Sequence, residues 1–92
     1  MTKIHIPTPL RQYTAKLPVV EVKAGTVAEA LSDLTVKHPD LRRHLYTEDG
    51  KLRSFVNVYL NDDDVRYLGG VDAPVPNGDE ITLLPAVAGG SL

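Results

Sequence analysis

Residues Thr26-Val27-Ala28-Glu29 open the segment of this sequence that most securely reads as a helix, and the other elements have to be arranged around it. A Thr followed three residues later by Glu is a capping box, in which hydroxyl and carboxylate satisfy backbone N–H groups that the first turn leaves unpaired. Val27, Ala30, Leu31 and Leu34 then fall at the offsets of one helical face. Lys37 and His38 occupy the last turn, where positive charge suits the helix dipole, and Pro39 disfavours helical geometry at His38. One helix with one apolar stripe needs one opposing layer, and the strand-like segments on either side of it supply a sheet.

Residues 3–6 alternate, with Ile4 and Ile6 on one side, and read as a short half-buried strand. Pro7 and Pro9 interrupt it, so residues 8–16 are expected to form a turn or loop. Residues 18–23 alternate again, with Val20 and Val22 on one face, which predicts an antiparallel hairpin with the first segment. After the helix, Leu41 and Leu45 stand one turn apart and predict a second short helical piece, and polar residues 47–53 predict a loop. Residues 55–60 read as the strongest strand, with Val56, Val58 and Leu60 on one face and Phe55, Asn57 and Tyr59 on the other. Asn61-Asp62-Asp63-Asp64 has turn chemistry, and Val65-Arg66-Tyr67 is expected to return as a short partner strand. Residues 69–76 read as irregular and Asn77-Gly78 as a turn. Residues 80–84 form the last strand, Ile81 and Leu83 inward, Thr82 and Leu84 outward. The expectation is an α+β fold of two layers, with a mixed sheet of four to five strands and one main helix packed across one face. With the first and last strands as central neighbours, that is the β-grasp, or ubiquitin-like, arrangement.

A chain of 92 residues has room for one core but not for a deep internal active site. Its net charge of −2, with interspersed signs, argues against a nucleic-acid partner. The absence of Cys excludes thiolate nucleophiles and Cys-ligated metals. No apolar run approaches the ~20 residues of a membrane span and the start lacks a signal-peptide core, so no membrane partner and a cytoplasmic location are expected. His5, His38 and His44 have no ligand spacing and no neighbouring nucleophile, which points to surface or capping roles. The aspartates at 62–64 lack the alternating ligands and terminal Glu of a calcium loop. Gly69-Gly70 lacks the context of a phosphate cradle, and Ser32, Ser54 and Ser91 lack that of a nucleophile elbow. No catalytic residue and no metal ligand is therefore assigned within this chain.

Chemistry is instead suggested at the end of the sequence. Residues 1–85 read as the folded domain and 86–92 as a flexible tail. The last strand gives way at Pro85 to slim residues, then Gly89-Gly90, then Ser91 and Leu92. Two glycines in series pack nothing and lose much freedom on ordering, but they make a backbone thin enough to thread a narrow channel. From Pro85 to Gly90 an extended chain reaches roughly 20 Å, enough to enter another protein's active site. Two readings are open: a frayed terminus, or a reactive tail with the domain as its handle. Phe55, Tyr59 and Leu84 fall together on the outer sheet face by alternation, and are either covered by loops or form a docking patch beside the tail.

The run from Asn77-Gly78-Asp79-Glu80 through Ile81-Thr82-Leu83-Leu84-Pro85 to Gly89-Gly90 resembles the C-terminal signature of the MoaD/ThiS family of sulfur carriers. The stretches Phe55-Val56-Asn57-Val58-Tyr59-Leu60-Asn61-Asp62-Asp63-Asp64-Val65-Arg66 and Ile6-Pro7-Thr8-Pro9-Leu10-Arg11 are similar to its CysO-like, cysteine-biosynthesis branch. The resemblance implies a protein that is a substrate and not an enzyme. A partner similar to ubiquitin-activating enzymes, using ATP and Mg, would adenylate the Gly90 carboxylate. Sulfide or a persulfide would then displace AMP to leave a thiocarboxylate. A sulfur-accepting biosynthetic enzyme, such as a cysteine synthase homologue, would consume it. Val87, Ala88 and Gly89 would thread the partner's channel, and Phe55, Tyr59 and Leu84 would dock. The sequence departs from the pattern in that Ser91 and Leu92 follow Gly90. The resemblance therefore implies cleavage between Gly90 and Ser91 by a JAMM-type metallopeptidase, which would hold the zinc. A ubiquitin-like modifier conjugated through Gly90 would share these features. A ubiquitin-like interaction module without conjugation would need only the outer face.

Overall fold

Three strands that share a ladder come from opposite ends of the chain. In the computed structural model, which describes residues 1–53 and 56–85, β1 (Thr2–His5) runs antiparallel to β2 (Val19–Val22) and parallel to β5 (Glu80–Pro85). On its other side β5 is antiparallel to β3 (Val56–Leu60), which pairs in turn with β4 (Asp63–Asp64). The order among the described residues is β2-β1-β5-β3-β4, with the first and last strands as central neighbours. Helix α1 (Val27–Lys37) covers one face of this mixed sheet, and the expected β-grasp architecture is what is found. Phe55 and the tail residues 86–92 lie outside the described residues.

Period-two alternation explains the sheet side of the core. Ile4, Val20, Val22, Val58, Ile81 and Leu83 are all buried, and Leu31 and Leu34 of α1 meet them from the second layer. Each such side chain contributes about 1.5–3 kcal/mol of apolar burial, set against the entropy of ordering the chain. Leu41 and Leu45 are fully buried on the expected short helical piece, which comprises a 3₁₀ turn (Pro39–Leu41) and α2 (Arg42–Leu45).

The cap of α1 forms with one adjustment. Thr26 Oγ1 accepts from the Glu29 N–H at 3.2 Å, while Glu29 Oε1 accepts from the Gly25 N–H at 3.0 Å, one residue ahead of the usual return partner. The Val27 N–H is taken by the Ala73 carbonyl at 3.0 Å, so the segment expected to be irregular is tied to the helix start.

Two local expectations are corrected. Residues 8–16 are not simply a loop, because Thr8–Tyr13 form a 3₁₀ helix in which Pro9 pre-sets φ near the start. Val65–Tyr67 is not the return strand. Asn61 adopts a left-handed φ of 55°, so the chain reverses early and Asp63–Asp64 pair with β3. The Asp64 side chain then accepts from the Arg66 N–H at 2.9 Å, capping a 3₁₀ turn at Val65–Tyr67 that buries Val65.

Candidate functional site

Strand β5 carries the residues that lead into the tail, and its neighbours decide what surrounds the exit. Parallel pairing of His5 with Thr82 sends β1 and β5 out at the same end of the sheet. Antiparallel pairing of Val56 with Pro85 starts β3 at that end too. On the outer face Tyr59 lies beside Thr82, and Asn57 beside Leu84. Leu84 is 43% exposed and Tyr59 is half-buried. Thus Leu84 stands on the outer face at the tail end, with Tyr59 on the same face two residues further along the ladder, beside Thr82, while Phe55, Val87, Ala88, Gly89, Gly90 and Ser91 lie outside the described residues. Leu84 therefore leaves close to half of its surface outside the core at the end of a central strand.

The far end of the same face is polar. His5 Nε2 meets the Glu80 carboxylate. Asn61 closes the β3–β4 turn there, donating from its N–H to the Glu80 carbonyl at 2.7 Å and accepting from the Glu80 N–H at 3.2 Å. The Arg66 guanidinium beside Asp64, 2.6 Å at its nearest, holds that carboxyl below its ordinary value. Asp33 is likewise lowered, first by the Lys23 N–H it accepts at 3.2 Å and then by the Lys37 ammonium, also at 3.2 Å.

The histidines are placed separately. His5 is on β1, His38 follows α1, and His44 stacks on Tyr13 with ring centroids 4.2 Å apart. Among the described residues no group of three His, Asp or Glu side chains converges as a metal site, and no helix is long and apolar enough to cross a membrane.

Sequence reasoning missed a second cluster at the tail end. The 3₁₀ helix Thr8–Tyr13 packs on α2, bringing Tyr13 onto His44, with Arg43 Cζ 6.0 Å from the centre of the Tyr13 ring. Arg42 Cζ sits 5.7 Å from the centre of the Tyr46 ring. Arg53 Nε donates to the Arg43 carbonyl at 2.9 Å, and the Arg53 N–H donates to the Leu45 carbonyl at 2.8 Å. A cleft of about 430 Å³ is lined by Arg42, Arg43, Tyr46 and Arg53 together with Asp40 and Glu48. Tyr13 and His44 are far apart in sequence and share no periodicity, so no local signal joins them.

Comparison with known proteins gives a consistent set of relatives. Residues 4–90 match the model of the ThiS family. The sulfur carrier protein CysO of Mycobacterium tuberculosis is 40% identical over 89 residues, covering 95% of this chain and 96% of that protein. A chain from the crystal structure of the Amycolatopsis orientalis BexX/CysO complex superposes with a TM-score of 0.88 at 46% identity, covering 98% of this chain and 100% of that one. Small archaeal modifier protein 1 of Haloferax volcanii is 38% identical over 66 residues, covering 72% of this chain and 71% of that protein.

Proposed function

The chain belongs to the ThiS family, and on that basis we propose that it is a sulfur carrier whose working group is the carboxylate of Gly90. The observation that carries this reading is similarity to sulfur carrier proteins along nearly the whole chain, with the family match running to Gly90 and leaving Ser91 and Leu92 beyond it. In this reading a JAMM-type zinc peptidase hydrolyses the Gly90–Ser91 amide and frees the carboxylate. An activating enzyme, with ATP and Mg²⁺, then joins a carboxylate oxygen to the α-phosphorus, and pyrophosphate leaves. Hydrogen sulfide attacks the resulting acyl carbon, AMP leaves with the electron pair of the broken C–O bond, and a thiocarboxylate remains. A biosynthetic enzyme such as a cysteine synthase homologue accepts the sulfur.

The domain's contribution is positional. Leu84 and Tyr59, with Phe55, dock against the partner so that Val87, Ala88 and Gly89 enter its channel, and orientation replaces a bimolecular search. A carboxylate is a poor electrophile because of its charge, which is why the chain needs an ATP-using partner and no catalytic residue of its own.

The test is intact-mass measurement of two forms, one ending at Gly90 and one carrying Ser91-Leu92, each incubated with the adenylating enzyme, ATP, Mg²⁺ and sulfide. The Gly90 form is expected to gain the mass of a sulfur-for-oxygen exchange, and the longer form only after peptidase treatment. Absence of that gain in the Gly90 form refutes the carrier reading. The likeness to an archaeal modifier protein favours a second reading, conjugation through Gly90, whose signature is the appearance of high-mass conjugates.

A further inference from the structure

The charges of this protein are segregated along the strand direction. The parallel β1–β5 pair places the residues after β1 and the start of the tail at one end, and the residues around Asn61 and Glu80 at the other. At the tail end Arg11, Arg42 and Arg43 gather through the 3₁₀ helix and α2, and Asp40 and Glu48, which line the same cleft as Arg42 and Arg43, only partly offset them. At the opposite end stand Asp62, Asp63, Asp79 and Glu80, facing Lys3, while the Asp64–Arg66 pair lies part-way along β3, lining one cleft with Arg53, Val56 and Val58. A net charge of −2 therefore conceals a molecule whose tail end is positive.

Arg42 and Arg43 are exposed, and neither has a carboxylate within salt-bridge distance among the described residues. Their partners are aromatic rings and the His44 imidazole, whose Nε2 accepts from Arg43 Nε at 3.3 Å. Such contacts hold a guanidinium in place while leaving its charge uncompensated.

An enzyme that receives the tail must face the end from which the tail leaves. We infer that Arg42 and Arg43 form an electrostatic docking site for a carboxylate-rich rim around the tail-accepting channel of the adenylating enzyme, separate from the apolar patch of Tyr59 and Leu84. The inference rests on the carrier reading and adds the partner's surface chemistry. Opposed fields of this kind raise encounter rates and fix orientation more than they slow dissociation.

The test uses the Gly90-ending chain and the R42E/R43E variant, with association to the adenylating enzyme followed by stopped flow. In low salt the variant is expected to associate about tenfold or more slowly, with dissociation changed by less than about threefold. Raising the salt to about 0.5 M screens the field and should bring the two rates within about twofold. That convergence also excludes misfolding of the variant, because salt would not restore an unfolded chain. If the wild type is adenylated and the variant associates equally fast in low salt, this inference falls alone. Failure of the wild type to be adenylated removes the carrier reading and this inference with it. Should wild type but not variant bind a mixed-sequence RNA, with enzyme association unchanged, the site serves nucleic acid and the inference is overturned.

Discussion

Ile81 and Leu84 lie three residues apart on the strand that leads into the tail, yet substitution to Ala should damage different properties. Ile81 is fully buried between Ile4 on β1 and Leu60 on β3. Ile81→Ala removes three carbons, about 2.4 kcal/mol of transfer free energy at ~0.8 kcal/mol each. The cavity left between two paired strands raises this to about 3–4 kcal/mol. For a domain of this size each kcal/mol lowers Tm by about 4–8 °C, so a fall of at least about 12 °C is expected. Total stability for such a domain is about 5–14 kcal/mol, so the variant should remain mostly folded at room temperature. Leu84 is 43% exposed, and solvent fills the space it vacates. Scaling the same transfer free energy by its buried share gives at most about 1.4 kcal/mol, with no cavity contribution.

Urea and thermal melts followed by far-UV circular dichroism measure both variants, and equilibrium binding to the adenylating enzyme supplies the second readout. Leu84→Ala should weaken binding more than Ile81→Ala does at a temperature where both are folded. A stability loss for Leu84→Ala as large as that for Ile81→Ala would refute the inward and outward assignment of this strand, and with it the placing of the apolar patch beside the tail.

Thr26→Ala should cost about 1 kcal/mol in urea melts, because it removes the acceptor for the Glu29 N–H, whereas Thr26→Ser should retain most of the stability. Acidification should destabilise the fold through Asp33 and Asp64, whose carboxyls are both lowered in the folded state. The unfolded chain takes up their protons first as pH falls. Their contribution is therefore full above the ordinary Asp value of about 3.9 and is lost as pH falls through the folded-state values. Melting temperatures of D33N and D64N should accordingly depend less on pH than those of the wild type across that acid range, and an unchanged acid slope in both would contradict the assignment.

Much of the fold was legible because each residue meets water or core individually. Alternation at Ile4, Val20, Val58 and Ile81 announces a buried sheet face whichever strands are neighbours, and Thr26 with Glu29 announces a helix start from four consecutive residues. The β4 expectation went wrong because apolar content suggested Val65–Tyr67, while the turn geometry of Asn61 and the cap supplied by Asp64 moved the pairing to Asp63–Asp64. Tyr59 and Leu84 could be placed on the outer face by counting, since a strand has a fixed period of two.

The arginine–aromatic cluster could not be found that way. Arg43 and Tyr13 meet because the 3₁₀ helix after β1 packs on α2, and their position beside the tail follows from the parallel union of β1 with β5. Local periodicity records which side of an element avoids water, a property that each short segment carries by itself. Which chain ends become neighbours is decided by pairing between strands from opposite ends of the sequence, and that pairing exists only once the core has closed.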